Sequence, residues 1–237
     1  MAGTGIHPSS IQNHLLRRLA SEQLDRLCPH LELVELPLRL VLQSRGQPVE
    51  FAYFPESAVA SFIVPLTDGG SVEVGMVGRE GMIGSGIVLG SDTAAHDAMI
   101  QIPGKALRIS WGSLRDAIRQ DADLQQHLLH YLPVFQFQIA QTAACNASHD
   151  VEQRCAKWIL IARDKAGSDE FPLTHEFLSV MLAVRRAGVT IAVGLLQKAG
   201  LIENQRGRVA ILDGKGLEDV ACECYGLIME QERQLAV

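Results

Sequence analysis

The chain has 237 residues, 47% of them hydrophobic and 20% charged, with a net charge of −6 at neutral pH. That length suits two modest domains or one large one, and the composition is that of an ordinary globular protein. The acidic balance (pI near 5.7) excludes a histone-like binder driven by bulk charge. No apolar run approaches the ~20 residues of a membrane span. The opening MAGTGIHPSS lacks the basic and apolar regions of a signal peptide, so a cytoplasmic protein with no membrane partner is expected.

Residues 11–30 carry a helical stripe of Leu15, Leu16, Leu19, Leu24 and Leu27. From 33 to 42 the period changes to two, and Val34, Leu36, Leu38, Leu40 and Leu42 are expected on one face of a strand. Short strands follow at 51–54, 58–64, 71–77, 98–102 and 106–109, separated by turns at Asp68-Gly69-Gly70, Gly78 and Pro103-Gly104. This pattern predicts an antiparallel β-roll or barrel over about 30–110. Gly78, Gly81, Gly84, Gly86 and Gly90 interrupt it. Such a segment either cradles a phosphate with its amides or turns the corner of a barrel.

Ser110 caps a short helix from Trp111, and a helix of about 27 residues is expected from near Asp121. Leu124, Leu128, Leu132, Phe135 and Ile139 recur along it at steps of three and four, with Ala143 and Ala147 continuing the seam. That seam exceeds what a small barrel needs, so it is expected to pair with a second copy, loosened or kinked at Pro133. His127 and His130 face solvent in this reading, because no third ligand joins them at helical spacing. A hinge at 146–150 leads to a helix over Val151–Ala166.

The most informative stretch runs from Leu173 to Leu212. Phe177, Leu178 and Met181 line one short helix. Val189, Ala192, Val193 and Leu196 line a second, which Gly200 closes. Two strands then flank a polar loop, Asn204 to Arg208. Arg185 and Arg186 stand at the positive end of the second helix's dipole, where cations are disfavoured unless an anion is met there. Arg206 and Arg208 occupy the wing tip. The stretch holds five Lys/Arg against two Asp/Glu, or +3, in a chain that is −6 overall. This order of helix, turn, helix and basic wing points to duplex DNA. Leu217–Leu235 is expected to be a terminal amphipathic helix, too acidic to touch DNA. Five cysteines, an odd number, argue against a disulfide framework. Cys222 and Cys224 have no second Cys/His pair near them in sequence, which predicts a structural or inert role for them.

These parts in this order resemble the Crp/Fnr family of bacterial transcription regulators. LTHEFLSVMLAVRRAGVTIAVGLLQKAGLI with its basic wing carries the resemblance, together with YFPESAVAS and VGMVGREGMIG in the roll. The resemblance covers nearly the whole chain. It implies an α+β fold with a cyclic-nucleotide-binding-like sensor roll (1–120), a dimerisation helix and hinge (121–148) and a winged helix-turn-helix domain (149–237). It further implies a non-enzymatic, homodimeric regulator that reads a near-palindromic site, with RNA polymerase a candidate partner. Arg186 matches the family's base-reading arginine. The next reading positions, usually Glu and Arg, are here Ala187 and Ile191. The expected DNA-binding residues are therefore Thr174, Arg185, Arg186, Thr190, Arg206 and Arg208.

The nucleotide cassette departs from the family. Gly84-Ser85 stands for its Gly-Glu pair, and His96-Asp97 for the Arg-Ser/Thr pair that holds the cyclic phosphate. An aspartate beside a phosphate lowers affinity, so no cyclic AMP is expected, and no cofactor or metal is assigned. Only Cys28 lies where the iron–sulfur branch has its cysteine cluster, and His96 is the one haem-ligand candidate. Two alternatives differ in kind. One is a cyclic-nucleotide or other small-molecule binding module without a DNA role. The other is a cupin-like metal enzyme using Glu80, His96 and Asp97, which lacks the HxH…E…H spacing.

Overall fold

The computed structural model describes residues 6–67 and 70–234. The first five residues, the turn residues Asp68 and Gly69, and the last residue of the expected terminal helix lie outside them. Among the described residues, two compact units form, 6–62 with 76–135, and 63–67 and 70–75 with 136–234.

The first unit begins with α1 (His14–Arg17) and α2 (Ser21–Leu27). Asn13 decides where α1 starts. Its side-chain oxygen accepts from the Leu15 and Leu16 amides, and its amide nitrogen donates to the Pro55 and Gly81 carbonyls at 3.1 and 2.9 Å. A fully buried polar side chain is tolerated there because its bonds are made. The roll follows as β1 (Glu32–Leu36), β2 (Val41–Gln43), β3 (Phe51–Pro55), β4 (Val59–Pro65), β5 (Ser71–Val77), a 3-10 turn at Ser85–Leu89, β6 (Asp97–Ile102) and β7 (Gly104–Ser110). One sheet has the order β1-β7-β3 and the other β2-β6-β4-β5.

The single strand expected over 33–42 is two. Pro37 cannot donate to a ladder, and Arg39 takes a left-handed φ of 68°, so the chain leaves β1 and enters β2 in the other sheet. Leu36 is buried, but Leu38 and Leu40 are 45% and 38% exposed, against the one-face expectation. Gly81 has a packing reason: a Cβ there would lie 2.4 Å from the Tyr131 ring.

Three helices follow the roll: α3 (Trp111–Gln120), capped by Ser110, then α4 (Ala122–Leu129) and α5 (Tyr131–Ser148). The expected continuous helix from Asp121 therefore breaks at His130. Pro133 has no N–H for the Leu129 carbonyl, and its ring crowds the preceding turn. His130 is exposed, but His127 is half-buried and bonds the Leu15 carbonyl at 2.8 Å.

The second unit contains α6 (Val151–Ala166), β8 (Glu170–Pro172), α7 (His175–Met181), α8 (Arg186–Lys198), β9 (Ile202–Gln205), β10 (Arg208–Ile211), α9 (Gly214–Val220) and α10 (Cys224–Gln234). Asp150 caps α6, and Gly167, with φ 66°, ends it. The wing has three strands, ordered β8-β10-β9, one more than the periodicity reveals. Beneath it, Lys165 on α6 and Glu232 on α10 form a buried ion pair at 2.7 Å. The terminal helix is also divided, into α9 and α10, with Cys222 and Glu223 in the break. No single helix among the described residues is long and apolar enough to cross a membrane.

Candidate nucleic-acid interface

Local chemistry sets each boundary of the helix-turn-helix. Thr174 starts α7 by accepting from the Phe177 amide at 3.2 Å. Ala183 then reverses the chain with φ 51°, a conformation that costs a non-glycine residue about 1–2 kcal/mol. The axes of α7 and α8 turn by 107°, within the ~90–120° of DNA-binding helix pairs. Val189, Ala192, Val193 and Leu196 are buried, as the period predicts. The opposite face, Arg186, Ala187, Thr190 and Ile191, is exposed, with Ile191 at 66%.

The start of α8 is open. Arg185 occupies the cap position with no side-chain bond to the first-turn amides. No ion pair recorded among the described residues holds Arg185, Arg186 or Arg206. Backbone N–H groups, helix dipole and two guanidinium groups thus converge on one anion-seeking end. Arg206 and Gly207 form the wing turn, both with positive φ, between the paired Gln205 and Arg208. The turn lies against α7: the Leu173 amide donates to the Gly207 carbonyl at 2.8 Å, and a Cβ on Gly207 would lie 3.5 Å from Thr174. Thr174 and the wing tip therefore form one edge.

Two expected contacts are already partly engaged. Arg208 Nε donates to Glu170 on β8 at 2.6 Å, so it is a paired cation. The Thr190 hydroxyl donates to the Arg186 carbonyl at 3.1 Å, and His175 Nδ1 lies 3.1 Å from the Thr190 hydroxyl oxygen. His175 is the residue that sequence reasoning misses. Its position at the start of α7 gives no signal until α8 is packed against it.

The roll positions do not converge in the same way. Gly84 is buried with φ 86°, and a Cβ there would meet the Phe51 carbonyl at 3.1 Å, which is a corner requirement. The amides of Gly78, Gly81 and Gly90 donate to the Glu80 carboxylate, the Gly78 carbonyl and the Ile87 carbonyl. These three amides are spent inside the loop, which favours a corner role for that stretch. Asp97 accepts from the Arg45 amide at 2.7 Å, and the His96 carbonyl accepts from Gln43. Ser85 begins the 3-10 turn. Among the described residues, the one group of His, Cys, Asp and Glu that converges as metal ligands excludes Glu80, His96 and Asp97, which removes the cupin-like ligand set. That group is Cys145, His149, Cys222 and Cys224. The isolation of Cys222 and Cys224 expected from sequence is thereby corrected, because the break between α9 and α10 folds them against the end of α5.

Residues 153–220 match the family model of the Crp-like helix-turn-helix domain. Three solved structures share the fold across most of the chain. A Crp/Fnr-family regulator from Eubacterium rectale is 15% identical, covers 87% of this chain and 96% of its own, and has a TM-score of 0.67. The Crp-family regulator TTHB099 from Thermus thermophilus gives 18%, 79%, 96% and 0.68. FixK2 from Bradyrhizobium japonicum gives 13%, 81%, 98% and 0.68. No curated relative matches. The α+β architecture, with antiparallel strand pairing in the roll and a winged helix-turn-helix, is thus that of Crp/Fnr transcription regulators. The resemblance read from the sequence holds, and the C-terminal unit carries a Crp-like helix-turn-helix domain.

Proposed function

We propose that the protein is a homodimeric, sequence-specific DNA-binding transcription regulator whose effector is not a cyclic nucleotide. The observation that carries this is the uncapped, doubly basic start of α8, set on a 107° helix pair with an exposed face behind it. In such a pair the second helix enters the major groove with its N-terminal residues at the base edges. Arg185 and Arg186 are placed to reach guanine. Thr190 offers its remaining lone pair, and Ala187 and Ile191 offer apolar contact to a thymine methyl. Thr174, Arg206 and Arg208 serve the phosphate backbone at the wing edge.

Dimerisation through 121–148 is supported by the surface of α5. Leu132, Phe135 and Ile139 are only half-buried, and Ala140, Ala143, Ala144 and Ala147 are exposed along one line of small residues that permits close helix approach. The case against a cyclic phosphate rests on Asp97, which by the family resemblance stands where the phosphate contact would fall and whose carboxylate accepts from the Arg45 amide. Selection of genomic fragments by the purified full chain tests the reading. The expected result is a palindromic motif with half-sites about 34 Å apart, one helical turn. No enriched sequence, with or without added cell metabolites, would overturn it.

A further inference from the structure

Four potential ligands meet in the second unit. Cys145 and His149 lie one turn apart at the end of α5. Cys222 lies in the break between α9 and α10, and Cys224 opens α10. Their ligand atoms all lie within 4.8 Å of one another. Cys145 Sγ is 3.5 Å from Cys222 Sγ, and Cys224 Sγ is 3.6 Å from His149 Nδ1. The edge of a tetrahedron with metal–sulfur bonds of about 2.3 Å is about 3.8 Å, so the cluster is already near that size. All three cysteines are buried and none is in a disulfide.

The surroundings fit a metal as well as the ligands do. His149 Nε2 lies 3.1 Å from the Glu223 carboxylate, which leaves Nδ1 facing the sulfurs. A carboxylate on the far nitrogen is the arrangement that fixes the tautomer of metal-binding histidines. Gln141 donates to Cys224 Sγ at 3.1 Å. Buried Lys157 lies close enough to Cys145, and Arg154 to Cys145 and Cys222, to feel their charge. Three thiolates, a neutral imidazole and a divalent ion sum to −1, a charge these cations offset. Cys145 and Cys222 share one hydrogen bond in which either sulfur can donate. A thiolate is the form that binds metal.

We propose that Cys145, His149, Cys222 and Cys224 form a mononuclear, tetrahedral site for a zinc-class divalent cation. Three thiolates and an imidazole suit a borderline-soft ion rather than magnesium or calcium, which take oxygen ligands. Binding replaces the remaining thiol protons, which pass to solvent, and involves no change of oxidation state. The site staples the end of α5 to the α9–α10 junction. Arg154 links it to the helix-turn-helix, since its guanidinium also donates to the Leu182 carbonyl after α7.

The test uses the full chain, reduced and stripped with chelator, then titrated with cobalt(II) and with zinc. One cobalt per chain is expected, with thiolate-to-cobalt charge transfer and the intense visible bands of a tetrahedral site. Zinc should displace it and raise the melting temperature. Cys222→Ser and Cys224→Ser should lose the charge-transfer signal. Should they unfold, Glu223→Gln at the exposed carboxylate should still bind about 10–100-fold more weakly. Cys28→Ser, outside the cluster, should bind as the parent does. Octahedral cobalt spectra, unchanged binding in Glu223→Gln, or ready formation of a Cys145–Cys222 disulfide with no metal uptake would overturn the proposal.

Discussion

The start of α8 and the roll corner around Gly84 and Asp97 are the two places where the sequence suggests a charged ligand. They differ in how their polar groups are used. In the roll, the Gly78, Gly81 and Gly90 amides bond within the loop and Asp97 accepts from the Arg45 amide. At α8, no ion pair recorded among the described residues holds the arginines, and Arg185 makes no side-chain cap to the first-turn amides. A site binds an anion only with donors it has not already committed, because exchanging one hydrogen bond for another yields little net free energy. Glycine content alone does not distinguish these cases.

The sharpest contrast between committed and open charges should appear on substitution. Lys165→Met removes a committed charge and its 2.7 Å contact with Glu232, which keeps Gln138 as a hydrogen-bond donor. A loss of about 3–5 kcal/mol is expected in urea unfolding. A loss under 1 kcal/mol would mean the pair contributes little beyond packing. Arg186→Ala removes an open charge. Unfolding should hardly change, while affinity for the selected site drops by about 1–3 kcal/mol and base preference relaxes. Equal affinity of parent and variant would remove Arg186 from the reading set.

Ala183→Gly should relieve the left-handed strain between α7 and α8 and stabilise the protein by about 1 kcal/mol, seen as a higher Tm. The smallest effects belong to the wing. Arg208→Ala should weaken binding to every sequence alike and flatten the salt dependence by less than one counterion, since Glu170 already neutralises part of its charge. Glu170→Gln should do the reverse. An unchanged salt slope in both would exclude Arg208 from the phosphate contacts.

The helix-turn-helix was legible because its signals are local. The i, i+3, i+4, i+7 spacing of Val189 to Leu196, the threonine cap and the closing Gly200 each act within one or two turns. The third wing strand was not, since Glu170–Pro172 is too short to show a period and exists only by pairing with β10. The break at His130 followed from Pro133, as expected. The break at Pro37–Leu40 was missed because a hydrophobic alternation persists across a turn that moves the chain between sheets.

The sequence by itself determined the order of parts, the buried face of α8 and the basic tips that mark its exposed end, all products of short-range periodicity and capping. Tertiary structure decided which of those charges remain open, since Glu170 reaches Arg208 across 38 residues. It alone brought Cys145 to Cys222 across 77 residues. Ligand geometry of that kind is a property of packed elements, and no local spacing encodes it.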